Sequence, residues 1–183
     1  MREIVDVNTG EIKIARGEIT LRSIAIGSCV VVAAYDSIKK TGVMAHIMLP
    51  GSAPKNNDLG KTKYAVEAIG EMLNKMVESG SQESDIHACL VGAGNVLKKE
   101  DDTICRDNIE STTRLLKEKG IPVRAAVLGG VQRKGVFLDA ESGRITYTEG
   151  DKQEKLLWKP TKSTDSAVTI AGSVSEPKGG EGE

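Results

Sequence analysis

The run SIAIGSCVVVAAYD, Ser23 to Asp36, decides how the rest of the chain is read. Its second half, CVVVAAYD, is continuously apolar and β-branched, the pattern of a buried strand. A cysteine buried in such a strand needs no Gly-Ser ahead of it, whereas a nucleophile held in a tight turn does. Gly27 and Ser28 relax the backbone there. The N–H groups around Gly27, Ser28 and Cys29 can then point at a carbonyl oxygen, as an oxyanion hole requires. A free thiol titrates near about pH 8.5, so a nucleophilic Cys29 needs a base or a cation beside it.

His46, in VMAHIMLP, is the candidate base: a polar residue inside an apolar strand, and that strand comes directly after the one begun by Cys29. Spacing alone leaves His46 open between this role and that of a satisfied core histidine. A simple hairpin around Lys39-Lys40-Thr41-Gly42 leaves the two residues several positions out of register. Their contact is not derivable from the sequence.

Working outward, EIVDV, EIKIA and EITLRSIAI read as strands ahead of this pair. The loop PGSAPKNNDLG comes after it. Tyr64, Ala65, Ala68, Ile69, Met72, Leu73 and Met76 then recur at helical spacing, ending near Gly80. HACLVGAG is a buried strand running into a glycine turn, and DNIESTTRLLKEKG is a second helix. VRAAVLGG and GVFLDAESGRITYTEG supply three more strands. The expected class is α+β: a layered α/β sandwich with a mixed, largely antiparallel sheet and two main helices on one face. Residues 1–158 form one domain in this reading. Residues 159–183, rich in Ser, Thr, Gly, Pro and Glu, form a disordered tail in which SAVTIAG alone could add a strand.

The 183 residues carry 25 Lys+Arg against 26 Asp+Glu, a formal net charge of -1, so no basic face for nucleic acid is expected. Apolar runs all fall short of the roughly 18 residues that span a bilayer, and the charged N-terminus lacks a signal-peptide core. The expected location is the cytoplasm, without membrane insertion. Cys29, Cys89 and Cys105 match no zinc spacing, so neither a disulfide framework nor a metal or other cofactor is expected.

Other motifs read blandly. Gly51 and Gly60-Lys61-Thr62 are too far apart for a phosphate loop. Gly92-Ala93-Gly94-Asn95 reads as a turn, His87 and Cys89 as positions on a plain strand, and Cys105 as an incidental thiol just ahead of a helix, at most mildly activated by it.

IGSCV followed by MAHIMLP resembles the chemoreceptor glutamine deamidases of bacterial and archaeal chemotaxis, the CheD family, in which the same 17 residues separate cysteine from histidine. The resemblance runs from about residue 18 to 150, through Gly60-Lys61, Tyr64, the VGAG segment, Asn108 and Leu128-Gly129-Gly130. It implies a thiol hydrolase that converts receptor glutamine side chains to glutamate through a thioester, and an acyl-enzyme open to glutamate methyl esters as well. Cys29 is then the nucleophile and His46 the base. Ser23, six residues before Cys29, takes the place of a family threonine that orients the histidine. Thr20 lies nearby, but its odd offset from Ser23 turns it to the opposite strand face.

The implied fold is similar to the catalytic domain of cytotoxic necrotizing factor. The implied partners are the cytoplasmic helices of methyl-accepting chemotaxis receptors and a CheC-type phosphatase, whose binding as an adaptor is the alternative function. The loop Pro50 to Leu59 and the turns near Gly92 and Gly129 are expected rims of the substrate groove. Two departures from the family pattern, Asp107 in place of arginine and Asn95-Val96-Leu97 in place of a Met-Phe ending, fall outside the proposed catalytic residues.

Overall fold

The computed structural model describes residues 2–57, 60–161 and 169–170. Two strands lie at its centre, β4 (Val30–Asp36) and β5 (Thr41–Ile47), and every residue of both is buried. They form an antiparallel hairpin whose loop is organised by Asp36. Its Oδ1 accepts from the N–H groups of Ile38 and Lys39 at 2.8 and 3.1 Å, and Lys40 takes a left-handed backbone with φ 48°. A side-chain acceptor capping its own turn is the usual work of Asp in loops. This turn sets the register from Asp36↔Thr41 to Val30↔Ile47.

Four further strands complete this sheet. β6 (Ile86–Gly92) runs antiparallel to β4, and β2 (Ile12–Arg16) antiparallel to β5. β7 (Val123–Leu128) is parallel to β6, and β11 (Thr169–Ile170) parallel to β7. The strand order is β11-β7-β6-β4-β5-β2. A second sheet holds β1 (Glu3–Asp6), β3 (Ile19–Ile26), β8 (Lys134–Asp139), β9 (Ile145–Glu149) and β10 (Lys155–Trp158), in that order. Its pairs are antiparallel except β1 with β3.

Helices α1 (Ala65–Glu78) and α2 (Thr103–Glu118) cover one face of the six-stranded sheet. Val30, Val32 and Ala34 of β4 pack there with Ala45 and Ile47 against Ile69, Met72 and Met76 of α1 and Leu116 of α2. The opposite face of β4, Val31, Ala33 and Tyr35, meets Leu21, Ile26, Val136 and Leu138 of the second sheet. Each large side chain buried in this way contributes about 1.5–3 kcal/mol. The apolar run of β4 is continuous because both of its faces are covered.

The class is α+β with two main helices, as expected, but the single mixed sheet of the sequence reading is two sheets. β3 buries Leu21, Ser23 and Ile26 and leaves Ile24 and Ala25 exposed, so it serves as an outer layer rather than as a neighbour of β4. Helix α2 begins at Thr103, ahead of the predicted start, because Asp102 caps it by accepting from the Cys105 N–H at 3.3 Å. β10 has no counterpart in the sequence reading; its four residues come after a long polar stretch. β11 falls within the SAVTIAG segment. The rest of the proposed tail, apart from 159–161, lies outside the described residues. Among the described residues no helix is long and apolar enough to cross a membrane.

Candidate active site

Ser23 and His46 come together between the two sheets. His46 is 6% exposed. Its backbone is pinned on both sides: its N–H donates to Glu11 O at 3.1 Å, and its carbonyl accepts from Gly10 N–H at 2.8 Å. Ser23 Oγ lies 2.9 Å from His46 Nδ1 and donates to Val7 O at 2.9 Å. Val7 O is itself 3.3 Å from Nδ1.

This geometry selects a tautomer. A carbonyl can only accept, so the single hydroxyl hydrogen of Ser23 goes to Val7, and Ser23 Oγ accepts from Nδ1–H. The neutral ring is therefore left with a bare Nε2, the form a general base needs.

Ser23 ends the regular stretch of β3, in phase with buried Leu21, and a local irregularity follows it that turns Ile26 inward as well. The β3–β8 pairing runs from Thr20↔Asp139 to Ser23↔Val136, then slips to Ile26↔Lys134, with Ala25 left-handed at φ 56°. Such a bulge bends a strand and re-aims the side chains beside it. Thr20 falls at the alternate position of β3 from Leu21 and Ser23, as its offset implied.

Cys29 lies directly ahead of β4. The hairpin pairs His46 with Val31, and Cys29 precedes Val31 by two residues on the same strand face. Cys29 and His46 are therefore diagonal neighbours, a separation of about 7–8 Å between Cα atoms. This corrects the expectation of a hairpin several positions out of register. The Asp36 turn, Ser37 to Lys40, starts two residues earlier than the one read from Lys39-Lys40-Thr41-Gly42. No hydrogen bond joins Sγ to the ring at rest, whose bonded nitrogen is Nδ1. Catalytic contacts often tighten only when substrate is bound.

Burial pushes the Cys29 thiol upward, opposed by its own N–H lying against Sγ. Burial also pulls the His46 imidazole downward, opposed by the Val7 hydrogen bond and the Glu11 charge. Burial thus favours the uncharged form of each group.

Gly27 is not left-handed, and a Cβ there meets only Val96 Cγ2 at 3.9 Å. The unusual backbone belongs to Ala25. The indispensable glycine is Gly92, at φ +134°, where a Cβ would stand 2.2 Å from Cys29 O. The segment first read as a plain turn is thus the cradle of the nucleophile's loop. Ala93 N–H donates to Cys29 O at 2.7 Å and Gly94 N–H to Gly27 O at 2.8 Å. The Gly129 turn joins this cradle, its N–H donating to Gly92 O at 3.0 Å. The Pro50 loop is tied to α2 by Gly51 N–H donating to Ser111 Oγ at 3.0 Å.

A cavity of about 450 Å³ opens beside this turn, lined by Gly27, Ser28, Val96, Leu97, Asp102 and Arg133 among others. Its lining includes Gly27 and Ser28 but neither Cys29 nor His46. Val96 and Leu97, from the departing Asn95-Val96-Leu97 segment, are part of that lining. Asp107 pairs with its neighbour Arg106 at 3.3 Å on the surface.

The remaining candidates are structural. His87 accepts at Nδ1 from Arg124 Nε at 2.8 Å and packs on Trp158, ring centres 6.0 Å apart. Cys89 is buried and its thiol pushed up to about 12. Cys105 lies inside the first turn of α2, not ahead of it. Burial and the Asp102 carboxylate push its thiol up to about 12, against the helix N-terminus. Val7 and Asn108 were not singled out as site residues by sequence reasoning. Val7 acts through its carbonyl and leaves no side-chain signal.

A turn-borne thiol diagonal to an imidazole oriented through Nδ1 is an arrangement suited to acyl transfer. The chain matches a family model described as CheD chemotactic sensory transduction over residues 48–149, a stretch that begins just past His46. It is 36% identical over 150 residues to a probable chemoreceptor glutamine deamidase CheD from Chlorobium luteolum, covering 82% of this chain and 75% of that protein. It is 30% identical over 161 residues to the chemoreceptor glutamine deamidase CheD of Halalkalibacterium halodurans, covering 84% of this chain and 99% of that one. The corresponding Thermotoga maritima protein is 28% identical over 156 residues, with 85% and 97% covered. The chain belongs to the CheD family. Among solved structures, a hypothetical protein YfiH from Bacillus licheniformis aligns over 71% of this chain and 60% of that one. At 16% identity and a TM-score of 0.43, it is too distant to bear on fold or function.

Proposed function

We propose that this protein deamidates glutamine side chains of chemotaxis receptors, with Cys29 as nucleophile, His46 as base and Ser23 as the group orienting His46. The observation that carries the reading is the hydrogen-bond chain Val7 O, Ser23 Oγ, His46 Nδ1, which leaves Nε2 free on the strand face shared with Cys29. Membership of the family supports the substrate.

Cys29 Sγ attacks the carboxamide carbon while Nε2 takes the thiol proton. Because burial favours the uncharged form of both groups, proton transfer to Nε2 accompanies the attack. The C=O electrons move to oxygen, and backbone N–H groups of the Ser28–Cys29 turn hold the oxyanion. As the C–N bond breaks, Nε2 returns its proton and ammonia leaves. Water then attacks the thioester, Nε2 takes a proton from it, the C–S bond breaks, and Cys29 is reprotonated as glutamate is released. The same acyl-enzyme forms from a glutamate methyl ester, with methanol leaving in place of ammonia.

In this reading residues 1–158 are the catalytic domain, similar to that of cytotoxic necrotizing factor, and work in the cytoplasm without a cofactor on the helices of receptors. Residues 159–183 are dispensable for turnover. A CheC-type phosphatase binding the same opening would make the chain an adaptor too. That role makes no demand on a thiol or an oriented imidazole, so retention of both favours the enzyme. The test is the mass of a receptor cytoplasmic fragment after incubation with the protein and with Cys29→Ala. An amide-to-acid gain seen only with the unmutated chain supports the reading.

A further inference from the structure

The geometry points to Asn108 as a positioning residue that holds the oxyanion hole open from behind. This rests on the proposed acyl-transfer chemistry of Cys29 and adds a residue to it.

Asn108 sits on α2 with no exposed surface. Its Nδ2 donates both hydrogens to backbone carbonyls, to Ser28 O at 2.9 Å and to Met48 O at 3.0 Å. The amide orientation is therefore fixed, since the flipped form would set an oxygen against two oxygens. Its Oδ1 is buried without a partner among the described residues. A buried polar oxygen left unpaired costs about 1–3 kcal/mol, so an apolar residue would suit packing better. The donors are what the site uses.

These two carbonyls lie just beyond the end of the β4–β5 ladder at Val30↔Ile47, Met48 one residue past Ile47 and Ser28 two residues before Val30. One amide thus joins the segment that begins the nucleophile's strand to the segment just past the histidine's strand. It also sets a direction. In a trans peptide the C=O and the next N–H point opposite ways. With Ser28 O turned toward Asn108, the Cys29 N–H points away from α2, toward its own Sγ. With Gly27 O held by Gly94 N–H at 2.8 Å, the Ser28 N–H is likewise turned away from the Gly92–Asn95 cradle. Among the described residues no carbonyl accepts from either N–H. The Ser28 N–H is free of carbonyl partners and the Cys29 N–H meets only its own Sγ, so both donors lie next to the nucleophile, where a tetrahedral oxyanion forms.

The role predicts a separation between two reactions of the same thiol. Alkylation by iodoacetamide displaces iodide from an sp3 carbon and develops no oxyanion. Acylation by p-nitrophenyl acetate passes through one. Both rates are measurable on Cys29 without any receptor, so a failure here is distinct from a failure of the receptor assay. Asn108→Ala should slow the acylation burst by about ten- to a hundredfold, less than the roughly 10²–10³ for outright loss of a donor. Its alkylation should stay within about twofold of the unmutated chain.

Asn108→Asp keeps the shape and provides a second readout should the alanine variant not fold. Buried against two carbonyls, the introduced carboxyl is held protonated and retains one donor. Its acylation rate should exceed that of the alanine variant and fall as the pH rises, an alkaline limb the unmutated chain lacks. Equal losses in acylation and alkylation would overturn the assignment. So would an acylation rate unchanged in both variants, or an unmutated chain that is alkylated but never acylated.

Discussion

Ser23 Oγ stands 2.9 Å from His46 Nδ1 and gives its only hydrogen to Val7 O, so one hydroxyl sets both the direction and the tautomer of the imidazole. A residue on β3 of the second sheet thereby controls a residue on β5 of the first. Removing the hydroxyl should matter without being fatal. The roughly 10⁴-fold loss seen when a triad carboxylate is replaced reflects a wrong tautomer at a charged orienter. Ser23 carries no charge, and Val7 O remains 3.3 Å from Nδ1 as a substitute acceptor. Ser23→Ala should lower kcat by roughly tenfold, whereas Ser23→Thr, which restores the hydroxyl, should keep most of it. Steady-state kinetics with a receptor fragment measure both.

The pH response is set by His46. Its pKa is depressed by burial below the ordinary 6.5, so the base stays unprotonated into mild acid. The acidic limb of kcat/KM should therefore lie below pH 6.5. The stability effect has the same direction. Below pH 6.5 the unfolded imidazole binds a proton that the folded one refuses, so stability falls with pH until the folded pKa is reached. His87 is depressed as well and adds to the slope. Denaturant melts of the unmutated chain and of His87→Gln separate the two contributions.

Two glycines near Cys29 should behave oppositely. A side chain at Gly92 meets Cys29 O at 2.2 Å and Ile26 Cγ2 at 2.9 Å, on a backbone that L residues rarely adopt. Gly92→Ala should lower stability by about 1–3 kcal/mol from backbone strain alone and displace the nucleophile. Gly27→Ala meets only open space and Val96, and should melt within about 0.5 kcal/mol of the unmutated chain. Its methyl group narrows the cavity beside the Gly27–Ser28 turn, so kcat/KM should fall while stability holds. Thermal melts and kinetics on the two variants decide.

Legibility was uneven, and physically so. The β-branched run of β4 and the helical spacing of α1 show in the sequence because burial on two faces, or on one helix stripe, writes itself into residue type. The split into two sheets does not show, since β3 and β8 would alternate in much the same way as edge strands of one sheet. The approach of Cys29 to His46 depends on the hairpin register, set by the Asp36 side chain binding two N–H groups of its own turn. The IGSCV and AHIMLP motifs carried both residues where spacing could not. Ser23 could be located through the resemblance, but its hydrogen bond joins β3 of one sheet to β5 of the other, a contact that no local pattern records. The Gly92 cradle was read as an ordinary turn because Gly-Ala-Gly-Asn looks the same wherever a chain reverses.

The thiols should differ sharply in reactivity. Cys29 is partly exposed, and Cys89 and Cys105 are buried with thiols pushed to about 12. Limited iodoacetamide treatment of the folded protein should label Cys29 alone. Because burial also raises Cys29, its labelling should be slow at pH 7 and accelerate above pH 9. Peptide mass mapping across that range checks it. Rapid labelling at pH 6 would indicate a preformed thiolate–imidazolium pair.

Cys29 is proposed to carry an amide hydrolysis on receptor glutamines. The most direct measurement is the intact mass of a receptor cytoplasmic fragment incubated with the unmutated protein, with Cys29→Ala and with His46→Ala. The account predicts an amide-to-acid gain at discrete glutamines with the unmutated protein and none with Cys29→Ala. With His46→Ala the rate should be lower by roughly 10²–10⁴. A gain of equal size with folded Cys29→Ala, or no gain with the unmutated protein across receptors from its own cell, would contradict it.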